Sequence, residues 1–324
     1  MLIMAAPHLT FFVELDSKAL TDLFANPAVA DFLIAGKHAV SMGLLDLTPE
    51  RAAVVRHLEA NGVAVTAWLL LDIEDGYWLN ADNSDKARAR YLETAEWAAR
   101  EGLHLHRIGL DIEFPRADAD LLMRNPRTGF RTLLRRRRSV VQVRAAERVY
   151  AELVDEIRCS GRTVETYHFP HLLDERLART SLLRRTLGLV DLPADAEVFM
   201  LYASYLGKTG ARVYHPEAPC IALGVTGGGV NAGTPEEIRR LLSWEQLEQE
   251  LLAAAAHTTE VYVFSLEGCV EQAMLERLAA FDWNRPSTDV PDSAHQRARR
   301  WRTVFRTVLR AEPLFDLLYP SRLR

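Results

Sequence analysis

Eight short apolar runs alternating with helical patterns along 324 residues predict an α/β fold of the (β/α)8 TIM-barrel type. Two further observations support it. Several helical stretches open on a capping residue and close on glycine, as helices between strands do. No linker rich in Pro, Gly or Ser divides the chain. The prediction is a single barrel domain over residues 8–284. A basic, helical C-terminal extension over 285–324 packs on its outside. A doubly wound open sheet gives the same alternation and stays the alternative.

Taken in order, "TFFVELDS" (10–17) and "DFLIAGKH" (31–38) read as the first two strands. Residues 48–62 form a helix, with Thr48 as cap, Pro49 at the first position and Gly62 at the end. "VAVTAWLLL" (63–71) is a continuous apolar run, as expected of a strand buried on both faces. A helix over 84–102 leads to the strand "LHRIGLDIEF" (105–114), and an amphipathic helix over 139–161 to "RTVETYHF" (162–169). A helix follows at about 171–187. "EVFMLYASY" (197–205) and "PCIALGVTGG" (219–228) are the next strands. Residues 234–257 read as a helix opened by a capping box of Thr234 and Glu237. "EVYVFSLEG" (260–268) is the last strand, and 270–283 the last helix before the extension.

Composition narrows the function. The net charge of −5 argues against nucleic acid as a partner. Four successive arginines, Arg135 to Arg138, read as a solvated helix start. Three cysteines, Cys159, Cys220 and Cys269, form no C-x-x-C pair, which fits a reducing compartment better than a disulfide framework. The first residues lack the basic start of a secretory signal, and no apolar run is long enough for a membrane span. A cytoplasmic location is the expectation.

The strands end in polar groups. On the fourth, alternation puts Gly109, Asp111 and Glu113 on one face and Leu110 and Ile112 on the other. In a barrel the apolar pair faces the helices and the carboxylates face the mouth, where barrel enzymes keep their chemistry. The other ends supply Glu14 and Asp16, then Glu165, Tyr167 and His168, then Tyr202 and Tyr205, and finally Glu267. Carboxylates that bind hydroxyls, together with aromatics that stack on sugar faces, suit a carbohydrate. Trp68, Tyr77 and Trp78 are the stacking candidates near the third strand. Parity along 261, 263, 265 and 267 suggests that Glu267 faces Glu113 across the mouth, as acid/base and nucleophile pairs do.

"GLDIEFP" resembles the fourth-strand signature, ending D-x-E, of the chitinase-like barrels of glycoside hydrolase family 18, and "MLY" at 200–202 resembles their Met-x-Tyr. The resemblance implies Glu113 as general acid, Asp111 as the group that orients a substrate acetamide, and Tyr202 as its support. The acetamide oxygen is then the nucleophile. Two earlier motif aspartates fall on Gly109 and His106, and the Trp of the eighth strand is absent from "VFSLEG". Catalytic Glu113, Asp111, Tyr202 and Glu267 acting on a small carbohydrate, with no cofactor or metal, is the resulting expectation.

Three rivals stand beside it. The glycine-rich loop 224–237 resembles a phosphate cradle at a helix start, though it lacks the P-loop Lys-Ser/Thr. Glu14, Asp16, His38, Glu165, His168 and His171 offer ligands for a metal-dependent sugar-phosphate isomerase or a phosphodiesterase. A barrel that binds sugar without turning it over is the third.

Overall fold

The computed structural model describes residues 6–229, 241–288 and 290–319. Eight parallel strands close into a barrel in chain order: β1 (His8–Val13), β2 (Ala39–Leu44), β3 (Val65–Leu69), β4 (Arg107–Asp111), β5 (Thr163–His168), β6 (Ala196–Met200), β7 (Cys220–Gly224) and β8 (Glu260–Phe264). β8 returns to β1, with His8 opposite Glu260 and Phe12 opposite Phe264. The fold is therefore a (β/α)8 barrel rather than an open sheet, with helical segments between strands and a helical tail.

Two apolar layers follow from strand alternation. Phe12, Trp68, Tyr167, Val198, Ala222 and Tyr262 fill the barrel interior. Phe11, Val13, Ile108, Leu110, Val261 and Val263 face the surrounding helices. Each such side chain, once fully buried, adds about 1.5–3 kcal/mol to the drive to fold.

The second strand lies elsewhere than expected. Residues Pro27–Ala35 form a helix, capped by Asn26, whose side chain accepts from the Ala28 N–H at 3.1 Å. Asn-Pro is a helix start, and it outweighs the apolar run that follows. β2 is the next segment, "AVSMGL". Its inner face carries only Ala39, Ser41 and Gly43, so it reads as weakly hydrophobic. A Cβ on Gly43 would stand 3.3 Å from the Trp68 ring, which fills the space instead.

Other helices shift by shorter amounts. The expected helix over 171–187 is two, His171–Ala178 and Leu182–Leu187, broken where Arg179 takes a left-handed φ of 57°. The charged stretch after β4 holds two unexpected helices, Arg116–Arg124 and Pro126–Arg135. The Thr234–Glu237 capping box lies outside the described residues. The helix there begins, among the described residues, at Trp244, with Ser243 and Gln246 forming a capping box.

The tail helices Asp292–Arg310 and Glu312–Leu318 attach through buried arginines. Arg302 binds Asp174 at 3.0 Å and Glu217 at 2.7 Å, and its guanidinium lies 3.9 Å from the centre of the Tyr214 ring. The four-arginine run is not a solvated helix start. Arg137 is buried and donates to Asp316 at 2.6 Å, and Arg138 donates to Asp82 at 2.7 Å. No described helix is long and apolar enough to cross a membrane.

Candidate active site

Alternation along β4 directs Arg107, Gly109, Asp111 and Glu113 inward, from floor to mouth. At the floor, Glu165 of β5 is fully buried. It accepts from Arg107 at 3.1 Å, from the Tyr262 hydroxyl at 2.9 Å and from the Tyr167 hydroxyl. The Tyr167 hydroxyl also meets Ser41. Glu165 and Tyr167, expected as substrate contacts, are thus joined in the barrel floor. A Cβ at Gly109 would collide with the Tyr167 hydroxyl, so the glycine makes room for that ring.

The mouth is built differently. Asp111 is buried, and its Oδ1 has no hydrogen-bond partner among the described residues. Burial, reinforced by Glu113, drives its carboxyl well above the usual range; the nearby Trp68 indole offsets part of that without reaching hydrogen-bond geometry. Glu113, partly open to the mouth, is pushed up to about 8, first by burial and then by the charge of Glu14. Two interacting carboxyls of this kind share their protons as a pair. The Tyr202 phenol is raised by burial and then by Asp111 and Glu113, so it stays a donor at neutral pH.

Glu14 follows β1 and accepts from the Tyr77 hydroxyl. Its backbone N–H donates to Glu267 Oε1 at 3.2 Å. Glu267 therefore does reach the mouth region, but not by strand parity. β8 turns Tyr262 and Phe264 inward and ends there; Glu267 sits in the first turn of the helix Leu266–Glu271, capped by Ser265. The Gly229 N–H gives Glu267 Oε1 a second hydrogen bond, 3.0 Å. Its Oε2 has no partner among the described residues, and burial pushes the carboxyl up to about 7.

This accounts for part of the glycine-rich loop. Gly228, at φ +72°, has no room for a Cβ beside the Glu267 side chain. A Cβ on Gly229, at φ +77°, would stand 2.9 Å from Glu14 Oε2. Gly228 and Gly229 thus wrap carboxylates of the chain itself, and the helix start expected to cradle a phosphate lies outside the described residues.

The remaining candidates separate clearly. Trp68 is buried in the barrel interior, 5.3 Å from Phe12 and 5.9 Å from Tyr167 between ring centres. Trp78 is half-buried and meets Tyr77 edge-on. Tyr205 is exposed, 6.5 Å from Tyr202. Asp16 is exposed and caps the helix Ser17–Phe24, accepting from the Ala19 N–H at 2.8 Å. His168 points outward, against Phe199, with burial lowering it to about 4. His38 packs with Phe11 and Phe32 on the outer face. The six residues named for a metal do not converge, and among the described residues no three His, Cys, Asp or Glu form a metal-binding group.

Sequence reasoning missed Phe264, which occupies the inner position at the end of β8 and lies 6.0 Å from Tyr202. Its alternation with Tyr262 was the available signal. It also missed Arg116, whose Nη1 is buried without a hydrogen-bond partner among the described residues and whose charge acts on the Tyr77 phenol.

No family model and no curated protein matches the chain. Solved structures with a similar fold include the PgaB (BpsB) glycoside hydrolase domain of Bordetella bronchiseptica (8% identity, 85% of this chain and 98% of that one, TM-score 0.49). A family 18 chitinase from Pseudoalteromonas aurantia is similar at 10% identity, over 85% and 100% of the two chains, with TM-score 0.48. A xylose isomerase domain protein from Planctomyces limnophilus is similar at 13% identity, over 85% and 96%, with TM-score 0.43. At these identities the likeness concerns the barrel alone.

Proposed function

We propose that the protein hydrolyses a glycoside, with Glu113 as the general acid. The observation that carries this is the meeting of Asp111, Glu113 and Glu14 at the barrel mouth, with Glu113 raised to about 8. A carboxyl that holds its proton at neutral pH can donate it to a glycosidic oxygen as the bond breaks. Asp111 orients the sugar and, as the second member of the pair, takes up charge when Glu113 has given its proton. Tyr202, two residues past the end of β6, donates a hydrogen bond to the sugar. Tyr77 and Trp78 offer an aromatic wall on the β3 side.

Glu14 is the carboxylate that raises Glu113, so it is the group we assign to the far side of the scissile bond. Glu267 holds the Glu14 backbone and Gly229, and acts behind that carboxylate by positioning it. A substrate acetamide between Asp111 and Tyr202 would serve the same step without Glu14. Replacement of Glu14 by Gln separates the two routes. A large loss of turnover favours the direct carboxylate; retained turnover on N-acetyl sugars favours the acetamide.

The test of the reading as a whole is Glu113→Gln against a panel of 4-nitrophenyl glycosides and oligosaccharides. Turnover should fall about 10²–10⁴-fold with the fold intact. Equal hydrolysis by both proteins would remove Glu113 from the mechanism. Binding of sugars without turnover by either would favour a sugar-binding barrel.

A further inference from the structure

Beside the carboxylates, on the β4–β6 side, lies a cavity of about 320 Å³. Its walls include Phe114, Phe169, Leu183, Leu187, Leu189 and Leu206. Phe114 and Phe169 stack there, 5.2 Å apart at 24°. No carboxylate, amide or guanidinium lines it; the polar side chains present are His171, Tyr202 and Tyr205. Tyr202 is the wall common to both spaces, since its phenol also feels Asp111 and Glu113.

A sugar ring does not suit this cavity. Each hydroxyl buried there without a partner would cost about 1–3 kcal/mol. Apolar groups suit it well: a cavity of about 150 Å³ takes a benzene ring, so this one has room for a ring carrying a short chain. The general acid of a glycosidase stands at the scissile oxygen, between the sugar it releases and the leaving group. On one side Glu113 has the charge of Glu14, a carboxylate that accepts from the buried Tyr77 hydroxyl and can bind a sugar hydroxyl. On the other side it has this apolar space.

We infer that the cavity is the leaving-group subsite, and that the substrate class is glycosides of an aryl or alkyl aglycone rather than a glycan extended on both sides. The inference rests on the glycoside reading above. On cleavage, the bond from the anomeric carbon to the glycosidic oxygen breaks. The oxygen takes the Glu113 proton and leaves as the free phenol or alcohol; water gives its hydroxyl to the anomeric carbon and its proton to the mouth carboxylates, which restores the acid at Glu113.

The experiment is a binding series of 4-alkylphenols, from ethyl to pentyl, followed by calorimetry or protein-observed NMR. Affinity should rise about fourfold per added methylene until the cavity is full. Leu187→Asn and Leu206→Asn, both at partly exposed wall positions, should each weaken pentylphenol at least tenfold while melting cooperatively. Glu113→Gln should bind like the wild type. The matching 4-alkylphenyl glycosides should show the same gradient in kcat/KM. A series flat in chain length, or wall variants that bind as the wild type does, would overturn the subsite and leave the glycosidase reading intact. A graded binding series in a protein whose turnover Glu113→Gln does not change would overturn the aglycone assignment through its parent reading.

Discussion

One barrel holds buried carboxylates in two opposite conditions. At the floor, Glu165 takes hydrogen bonds from a guanidinium and two phenols. At the mouth, Asp111 and Glu267 each bury an oxygen with no partner among the described residues, and Glu113 is raised by burial and then by Glu14. A buried carboxylate that is fully bonded is a structural strut. One that is crowded by another carboxylate and left short of donors keeps its proton instead. The same residue type thus changes, between floor and mouth, from a bonded strut to a group that holds its proton.

That contrast can be broken at either end. The largest effect on stability is expected at the floor. Glu165→Ala strands the buried Tyr262 phenol, leaves Tyr167 with Ser41 alone and removes the partner of Arg107, and should cost about 2–4 kcal/mol in denaturant melts; Arg107 is half-exposed, which limits the loss. A loss under about 0.5 kcal/mol would mean that the floor is not held by this network.

The mouth should respond with the opposite sign. The folded protein raises Glu113 above its unfolded value, so it binds the proton more tightly when folded. Stability from this group is therefore present at low pH and falls as pH rises from about 4.5 towards 8. Glu113→Gln removes that penalty. It should stabilise the protein by about 1–3 kcal/mol at pH 8.5, discounted for the open side of Glu113, and change little at pH 4. Destabilisation at pH 8.5 would show Glu113 to be a strut like Glu165.

Much of this contrast was legible in the sequence and part was not. The inward set Gly109, Asp111 and Glu113 was readable because a strand has period two; β4 keeps it to Asp111, and the bridge of Ile112 to Leu79 carries the alternation on to Glu113. The same rule failed on β8, because the strand ends at Phe264 and the chain turns into a capped helix before Glu267. Parity says nothing once the chain leaves its pairing. β2 was misplaced because its inner face is nearly bare, so its hydrophobic signal was weaker than that of the preceding helix. Glu14 and Tyr77 were each legible as candidates, but their hydrogen bond depends on the spacing of β1 and the β3 loop across the barrel, which a linear pattern does not carry. Glu165 looked like Glu113 on paper; its depth in the barrel, set by register against Gly109, makes the difference.

Gly109 offers a finer probe of that register. Gly109→Ala would press on the Tyr167 hydroxyl and disturb its bonds to Ser41 and Glu165. Overpacking of this kind should cost about 1–3 kcal/mol. Tyr167→Phe in the same background should relieve part of it. If the double variant is no more stable than Gly109→Ala alone, the glycine is not serving that ring.

The most direct measurement is a titration of the glutamate side-chain carboxyls by carbon NMR, in wild type and in Glu113→Gln. The account predicts one resonance titrating near pH 8 that disappears in the variant, with the basic limb of the pH–activity profile following the same transition. Glu267, raised to about 7, should titrate in both proteins; if no glutamate resonance titrates near pH 8 in the wild type, or if that resonance survives in Glu113→Gln, the mouth carboxyl holds no proton to give and the account is contradicted.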